Sequence, residues 1–304
     1  MPLDLFPDLV CQRVFLGWDS PFLPAAAHYL ADQHVDGRRL DLSDWMLTLP
    51  STQSAHRLGE LVYALAEEQK LELLAPKILT VGDLAETLYR PQKPIAIEFE
   101  QTLAWSRVLR SQDPESLRPL LPILPDPETL GPWLELAGTL RRLGTDLATH
   151  EVTFADVLAV SETDAERQRW QLLDRLSSQY LAELSRAGLS DQHHQRRRAI
   201  SRNEIRSSKR IALVGTSDLN ESVAKVVAEV DRDLISLIAA PQRQESAFDW
   251  LGRLRSEAFA EYQLPLIDQQ LLPAGDISDQ AAAVSEVVSD FRSRFETGEI
   301  TVGT

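Results

Sequence analysis

The residues best placed for chemistry in this sequence carry hydroxyl, amide and guanidinium groups, which suit contacts with phosphate. Ser51, Thr52 and Gln53 follow a short apolar run and open an amphipathic pattern. Hydroxyl and amide side chains at a helix start, together with its free N–H groups, can bind the backbone of a nucleic acid. The ordinary alternative is that Ser51 or Thr52 only caps the helix.

A second turn of this kind follows the strand-like run Lys77–Val81. Thr80 and Gly82 lie there, just before Asp83. Thr80 and Gly82 could contact the same nucleic-acid backbone, although glycine also serves simply to form tight turns. Asp83 is predicted to cap the helix that follows.

The segment 192–210 is basic, in contrast to the acidic chain as a whole. Its cations are Arg196, Arg197, Arg198, Arg202, Arg206, Lys209 and Arg210, against the single acid Glu204. The segment is either a solvated linker and helix end or a patch that contacts phosphate or a protein partner. His193 and His194 lack companion metal ligands, so they are predicted to be surface residues.

The turn Gly17–Ser20 lies where a nucleotide-binding α/β domain would have its phosphate loop. It contains Gly17, Asp19 and Ser20 but not the pattern GxxxxGK[ST], in which glycines and a lysine hold the phosphates. We therefore predict that no phosphate loop is present. Asp19 and Asp218 are predicted to be helix caps rather than magnesium ligands.

The elements that must position these residues recur as strand followed by helix. Trp45–Leu49 is an apolar run that Pro50 ends, and apolar residues spaced three and four apart follow it. Similar units begin at Arg13, Lys77, Arg210 and Leu234. Such repetition predicts an α/β fold in which helices flank a parallel sheet.

Between residues 93 and 206 the strand-like runs disappear and helical spacing dominates, with a proline-rich connector at 117–132. This predicts a sheet domain formed by 1–92 and 207–304 and interrupted by a helical subdomain at 93–206. Further helices are expected at 220–230, 244–260 and 278–295. A strand is expected at 300–304, with the natural chain continuing beyond it.

Composition limits the classes of function. The net charge of −15 gives no general support to nucleic-acid binding, so any such contact must be local or depend on a partner. One cysteine suits a reducing cytoplasm, and no stretch has the length of a membrane span or the features of a signal peptide. We expect a cytoplasmic protein whose six tryptophans pack in cores.

The order of these units resembles the amino-terminal motor domain of superfamily 1 DNA helicases of the RecB and UvrD type. It is most similar to the AddB family of helicase-nuclease subunits. Thr48–Leu58 resembles the strand-turn-helix motif written TFTNKAAxEM, whose turn touches single-stranded DNA, and Ile78–Arg90 resembles the next motif, with its TFHSF-like turn. The resemblance implies a RecA-like sheet of the P-loop NTPase type with a helical insertion.

Two further matches imply that the nucleotide site has degenerated. Ala212–Val230 resembles the motif whose strand ends in Asp-Glu, and Gly215 and Thr216 occupy those two acidic positions. Ile238–Phe248 is similar to VGDPKQSIYxFR, in which Gln242 or Gln244 would be the relic of the nucleotide-sensing glutamine. The implied degenerate site comprises Gly17, Asp19, Ser20, Gly215, Thr216, Gln242 and Gln244, with no catalytic residue, metal or cofactor.

The resemblance implies a non-catalytic role in DNA repair and recombination. The chain would guide single-stranded or unwinding double-stranded DNA and form a heterodimer with an AddA-like motor subunit during the processing of double-strand breaks. The candidate DNA contacts are Ser51, Thr52, Gln53, Thr80, Gly82, Arg196, Arg197 and Arg198. The alternatives are a protein scaffold that makes no DNA contact and, ranked last, a nucleotide-dependent enzyme that uses an unorthodox loop at Gly17–Ser20.

Overall fold

The computed structural model describes residues 11–121, 123–258, 260, 271–292 and 294. The strand predicted at 300–304 lies outside these residues. Two compact units are present: one runs to Arg255, and the second begins at Ser256. No described helix combines the length and the apolar character needed to cross a membrane.

The first unit is built on a five-stranded sheet in which every pair of neighbouring strands is parallel. The strands in chain order, including those of a smaller second sheet, are β1 (Gln12–Phe15), β2 (Val35–Asp36), β3 (Arg39–Asp41), β4 (Trp45–Leu49), β5 (Glu72–Leu74), β6 (Lys77–Thr80), β7 (Arg210–Val214) and β8 (Leu234–Ile238). The order across the large sheet is β1-β8-β7-β4-β6. The α/β fold predicted from the sequence is confirmed, and the sheet is consistent with a RecA-like one.

The described helices surround this sheet or follow one another between β6 and β7. In chain order they are α1 (Phe22–His34), α2 (Thr52–Glu68), α3 (Val81–Thr87), α4 (Glu98–Arg110), α5 (Pro114–Leu117), α6 (Leu130–Thr149), α7 (Phe154–Ala159), α8 (Asp164–Arg186), α9 (Gln192–Ser201), α10 (Glu221–Ala228) and α11 (Ile277–Phe291). Only α11 belongs to the second unit.

The central strands are buried and mostly apolar, with Thr48 of β4 and Ser236 of β8 as buried polar exceptions. Every residue of β4 and β8 is buried, as expected when helices cover both faces of a parallel sheet. One core holds Ile211 and Leu213 of β7 with α3 and α10, and the other holds Ala212 and Val214 with α1 and α2. Successive side chains of β7 therefore point to opposite faces of the sheet, and each face packs against its own layer of helices.

The helices α4 to α8 pack around a core of their own, whereas Ala199 of α9 belongs to the core that holds Ile211 and Leu213. Trp105 of α4 stacks on Tyr180 of α8, with 4.6 Å between ring centroids, and Trp133 of α6 is buried with them. This segment lies in the same compact unit as the sheet. The division into separate domains at 93 and 206 stays a prediction.

The small sheet β2-β3-β5 was not predicted, because its strands are only two or three residues long. The helix predicted at 244–260 was wrong. A 3₁₀ helix covers Gln242–Ala247, and the chain then turns at Gly252, whose φ is +81°. A Cβ atom on Gly252 would clash with Ser236 Oγ, so this turn packs closely against β8.

Three predicted helix caps were also wrong. Pro21 and Asn220 precede α1 and α10, in place of Asp19 and Asp218. Asp83 lies inside the first turn of α3, where its carboxylate accepts a hydrogen bond of 2.7 Å from Thr80. Each of these aspartates lies near a helix start, but the residue in the cap position is two or three residues away from the predicted one.

Candidate functional site

All the turns named in the motif comparison lie at one edge of the large sheet. Because the five strands are parallel, their carboxyl ends face the same way, and the turn after each strand emerges there. The edge therefore carries, in sequence order, Gly17–Ser20 after β1, Ser51–Gln53 after β4, Thr80–Gly82 after β6, Gly215–Thr216 after β7 and Gln242–Gln244 after β8. This is the usual location of ligands on such a sheet.

The turn after β1 is tied to the end of β8. Gly17, with φ of +78°, donates its N–H to the carbonyl of Ala240 at 3.0 Å. Trp18 donates its indole N–H to the carbonyl of Ala239 at 2.8 Å, and its side chain is 58% exposed. Asp19 and Ser20 are exposed. The Gly17 N–H, which would face a phosphate in a working loop, is thus already bonded within the protein.

Trp18 corrects the prediction that every tryptophan packs in a core. Trp45, Trp105 and Trp133 are buried, and Trp170 packs against the helical core. Trp18 instead stands at the carboxyl edge of the sheet, held by its indole hydrogen bond rather than by an apolar pocket.

Gly215 has no room for a side chain. Its φ is +65°, and a Cβ atom there would lie 2.7 Å from Cε1 of Phe22, the first residue of α1. Thr216 beside it is buried. An acidic side chain at position 215 would have to displace the Phe22 ring and strain the backbone.

The two glutamines after β8 differ in their surroundings. Gln242 is exposed and donates to a carboxylate oxygen of Glu245 at 2.8 Å, and Glu245 in turn forms an ion pair with Arg13 of β1. Gln244 is half-buried. The Gln242 amide therefore already has a hydrogen-bond partner at this edge of the sheet.

Ser51 caps α2 through a reciprocal pair of bonds. Its hydroxyl accepts the N–H of Ser54 at 3.2 Å, and the Ser54 hydroxyl accepts the N–H of Ser51 at 3.1 Å. The capping role predicted as the alternative for Ser51 is confirmed. Thr52 and Gln53 follow it in the first turn with exposed side chains, so they remain available for contacts at the positive end of the helix dipole.

Thr80 and Gly82 form the start of α3 on the neighbouring strand β6. The Thr80 hydroxyl is occupied by its bond to Asp83. Gly82 is exposed, and the nearest atom to an added Cβ would be Thr80 Oγ1 at 3.6 Å. A tight turn does not require glycine at position 82.

The three arginines of α9 do not form an open basic patch. Arg196 is only 3% exposed, and its guanidinium donates to Glu86 at 2.7 Å and to Ser222 at 3.0 Å. It has no surface left to offer a phosphate. Arg196 instead joins α9 to α3 and α10.

The neighbouring arginines are likewise held by groups of the protein. Arg197 donates to the carbonyl of Val152 at 3.0 Å and lies 3.7 Å from a carboxylate oxygen of Glu151. Arg198 donates to Glu204 at 3.2 Å. Glu86 and Glu151 from distant parts of the chain, together with Glu204 of the segment itself, therefore neutralise these three arginines.

His193 differs from its predicted place on the surface. It is half-buried, and burial lowers the pKa of its imidazole below the ordinary value. His194 is exposed, as predicted. Among the described residues, no group of three or more His, Cys, Asp or Glu side chains is arranged to hold a metal ion.

Two features of the site were not found from the sequence. Phe22 closes the space beside Gly215, and a cavity lies among the helices α4, α6, α7, α8 and α9. Both depend on residues that are distant in sequence.

No protein-family model matches the chain, and no curated protein sequence matches it.

Proposed function

We propose that this chain is the non-catalytic, helicase-like portion of an AddB-like subunit. In this role it guides single-stranded DNA along the carboxyl edge of its sheet and docks an AddA-like motor subunit during the processing of double-strand breaks. The resemblance in motif order supplies the family and the partner. A cytoplasmic location and membership of an ATP-dependent helicase-nuclease complex are parts of the same proposal.

The observation that carries the proposal is the common edge of the motif turns. The helix starts of α2 and α3 emerge from the adjacent strands β4 and β6, and Thr52 and Gln53 are exposed there. Two neighbouring helix N-termini present free N–H groups and positive dipole ends to one strip of surface. A nucleic-acid backbone that crossed this strip would meet donors without needing a basic patch.

The loss of catalysis is supported by the surroundings of Gly215. A metal-binding or water-orienting carboxylate cannot be placed at position 215 without moving Phe22. The turn after β1 adds a second reason, since the N–H of Gly17 is bonded to Ala240. The fold supports guidance of a strand better than it supports phosphoryl transfer.

Fluorescence anisotropy with labelled oligothymidine tests the DNA contact, at about 50 mM and about 200 mM salt. Gln53→Glu should weaken binding about fivefold, because two like charges roughly 4 Å apart in water repel by about 1 kcal/mol. An acid in the first turn favours the helix, so unfolding would not explain this loss. The matched control is Gln69→Glu, at the other end of α2, which should bind as the unmodified chain does.

A protein scaffold with the helicase fold is the second candidate. The net charge of −15 and the neutralisation of Arg196, Arg197 and Arg198 by internal partners favour it. Absence of DNA binding at the lower salt concentration, both alone and with an AddA-like partner, would establish the scaffold in place of strand guidance. Equal losses from Gln53→Glu and Gln69→Glu would show that the contact is not at the start of α2.

A further inference from the structure

An exposed tryptophan stands at the carboxyl edge of the large sheet. The side chain of Trp18 is 58% exposed, whereas Trp45, Trp105 and Trp133 are buried. A single exposed apolar side chain is ordinary and does not define a site. The Trp18 ring, however, is also held in place.

Two hydrogen bonds to consecutive carbonyls at the end of β8 fix Trp18. Its indole N–H donates to Ala239 at 2.8 Å, and the backbone N–H of Gly17 donates to Ala240 at 3.0 Å. The polar atom of the ring is therefore satisfied, and the ring offers its flat π-surface to solvent. A ring that is oriented before binding loses less conformational freedom when a ligand arrives.

The charges beside Trp18 favour a neutral, flat ligand group. Asp19 follows it in the same turn, and Arg243 lies on the turn after β8; both side chains are exposed. Glu245 of that second turn is already paired with Arg13. One acid and one cation balance each other here, so the ring is not a site for a phosphate. A nucleobase meets the requirement, because every base has a π-face that stacks on aromatic side chains.

The surroundings of the ring suit a protein partner less well. The centre of a protein–protein interface is a largely apolar patch. The neighbours of Trp18 in its turn are Gly17, Asp19 and Ser20, which offer little apolar surface. The ring is an isolated platform rather than the middle of such a patch.

Trp18 lies on the same edge of the sheet as the exposed first turn of α2. Three strand spacings separate β1 from β4, or about 14 Å at about 4.8 Å each. A single strand whose backbone contacts Thr52 and Gln53 would reach Trp18 after about four nucleotides at 3.4 Å each, and after fewer if it is extended. The ring is therefore within reach of a strand that follows this edge.

We propose that Trp18 stacks on one base of the single-stranded DNA whose backbone the start of α2 contacts. This inference rests on the proposed strand-guiding function and adds a contact with a base to it. Because the contact is made with a π-face, it accepts any of the four bases. It also depends little on salt, in contrast to contacts with the phosphate backbone.

Fluorescence anisotropy with the full chain tests the stacking. The probes are labelled oligothymidine of about ten nucleotides and an oligomer of the same length in which every nucleotide is abasic. Trp18→Ala should weaken the binding of oligothymidine about tenfold, or roughly 1.4 kcal/mol, and leave the binding of the abasic oligomer unchanged. The matched control is Tyr63→Ala, since Tyr63 is 62% exposed on α2, about three turns beyond the start of that helix. It should bind both oligomers as the unmodified chain does.

Two further measurements keep the test decisive if Trp18→Ala disturbs the turn. Trp18→Phe removes the indole hydrogen bond but keeps an aromatic face, so it should weaken the binding of oligothymidine less than Trp18→Ala does. The loss from Trp18→Ala should be the same factor at about 50 mM and about 200 mM salt, whereas the loss from Gln53→Glu should shrink at the higher concentration.

The outcomes separate the stacking from the DNA role itself. If Trp18→Ala binds oligothymidine as the unmodified chain does while Gln53→Glu binds it more weakly, the stacking is overturned and the DNA role stands. Equal losses for oligothymidine and the abasic oligomer would also overturn the stacking, because Trp18 would then only support its turn. Absence of binding by the unmodified chain at about 50 mM salt would overturn both.

Discussion

Phe22 fills the space in which Gly215 would carry a side chain: its Cε1 atom lies 2.7 Å from the position of a Cβ on that glycine. Gly215 directly follows β7, and Phe22 begins α1. The contact joins the turn after β7 to the helix that follows β1. It places an apolar ring beside the position that is acidic in the helicase motif that the sequence resembles.

The first prediction concerns the stability of this contact. Gly215→Ala should lower the free energy of unfolding by about 3 kcal/mol, because a left-handed backbone and an overpacked ring contribute together. Gly37→Ala is the matched control. Gly37 has φ of +59° but nothing within 4 Å of an added Cβ, so strain alone should cost about 1 kcal/mol. Urea unfolding measures both.

Phe22→Leu offers a check on the cause. Combined with Gly215→Ala, it should recover part of the lost stability, because the smaller side chain leaves room for the methyl group. Equal losses for Gly215→Ala and Gly37→Ala would mean that Phe22 does not restrict position 215.

The second prediction concerns Arg196. Arg196→Met should lower the free energy of unfolding by about 3–5 kcal/mol, because it leaves the partly buried carboxylate of Glu86 without its cation. Arg202→Met, at an exposed position just after α9, should change it by no more than about 0.5 kcal/mol. Thermal and urea unfolding give both values.

A double variant separates the charge from the packing. Arg196→Met with Glu86→Gln removes both members of the pair and should be more stable than Arg196→Met alone. If the double variant is no more stable than Arg196→Met alone, the unpaired carboxylate of Glu86 is not the cause of the lost stability.

The large sheet and the start of α2 could be predicted because their signals are local. Strands such as β4 and β7 are mostly apolar runs, and Ser51 stands next to the pattern it caps. The role of Arg196 could not be predicted, since its partner Glu86 lies 110 residues away. The count of charges along 192–210 predicted a basic patch. In the folded chain, several of these cations pair with acids, some of them distant in sequence.

The same limit applied to the candidate sites. The sequence predicted a parallel sheet, and parallel strands place the turns that follow them at one edge whatever the details. It did not predict that Phe22 would lie against Gly215, or that α6 and α9 would bring Arg141 and Arg197 to one cavity. Those relationships depend on how helices pack, which local spacing does not encode.

The third prediction is a dependence of stability on pH through His193. Burial, with smaller effects of Arg196 and Arg197, lowers its pKa in the folded chain, while Asp191 and Glu86 oppose the shift. The unfolded chain therefore takes up the proton first as the pH falls. The contribution of His193 to stability is constant above about pH 6.5 and is lost as the pH falls below it.

Thermal melts at about pH 7.5 and about pH 5.5 measure this effect. His193→Gln should lose less stability over that interval than the unmodified chain. His194→Gln, at the exposed neighbouring position, should lose as much as the unmodified chain. Burial also lowers the pKa of His34, so His193→Gln should keep part of the dependence. Identical pH dependence in His193→Gln and the unmodified chain would contradict the assignment.

The last prediction uses Cys11, the single cysteine of the sequence, as a reporter of the sheet. Burial raises the pKa of its thiol to about 12, with Asp249 adding to the shift and Arg13 opposing it. At pH 8 about one thiol in ten thousand is then ionised, and only the thiolate reacts with a disulfide reagent. Labelling of the folded chain should therefore be slow and should accelerate strongly in denaturing urea.

Gly215→Ala links this reporter to the first prediction. Cys11 belongs to the same buried core as Ile211 and Leu213 of β7, and it lies next to β1, which pairs with β8. If labelling follows opening of the sheet, the less stable variant should react faster under native conditions, and Gly37→Ala should react at a rate closer to that of the unmodified chain. Fast labelling of the unmodified folded chain would show that Cys11 is accessible without opening, and its burial beside β1 would then be wrong.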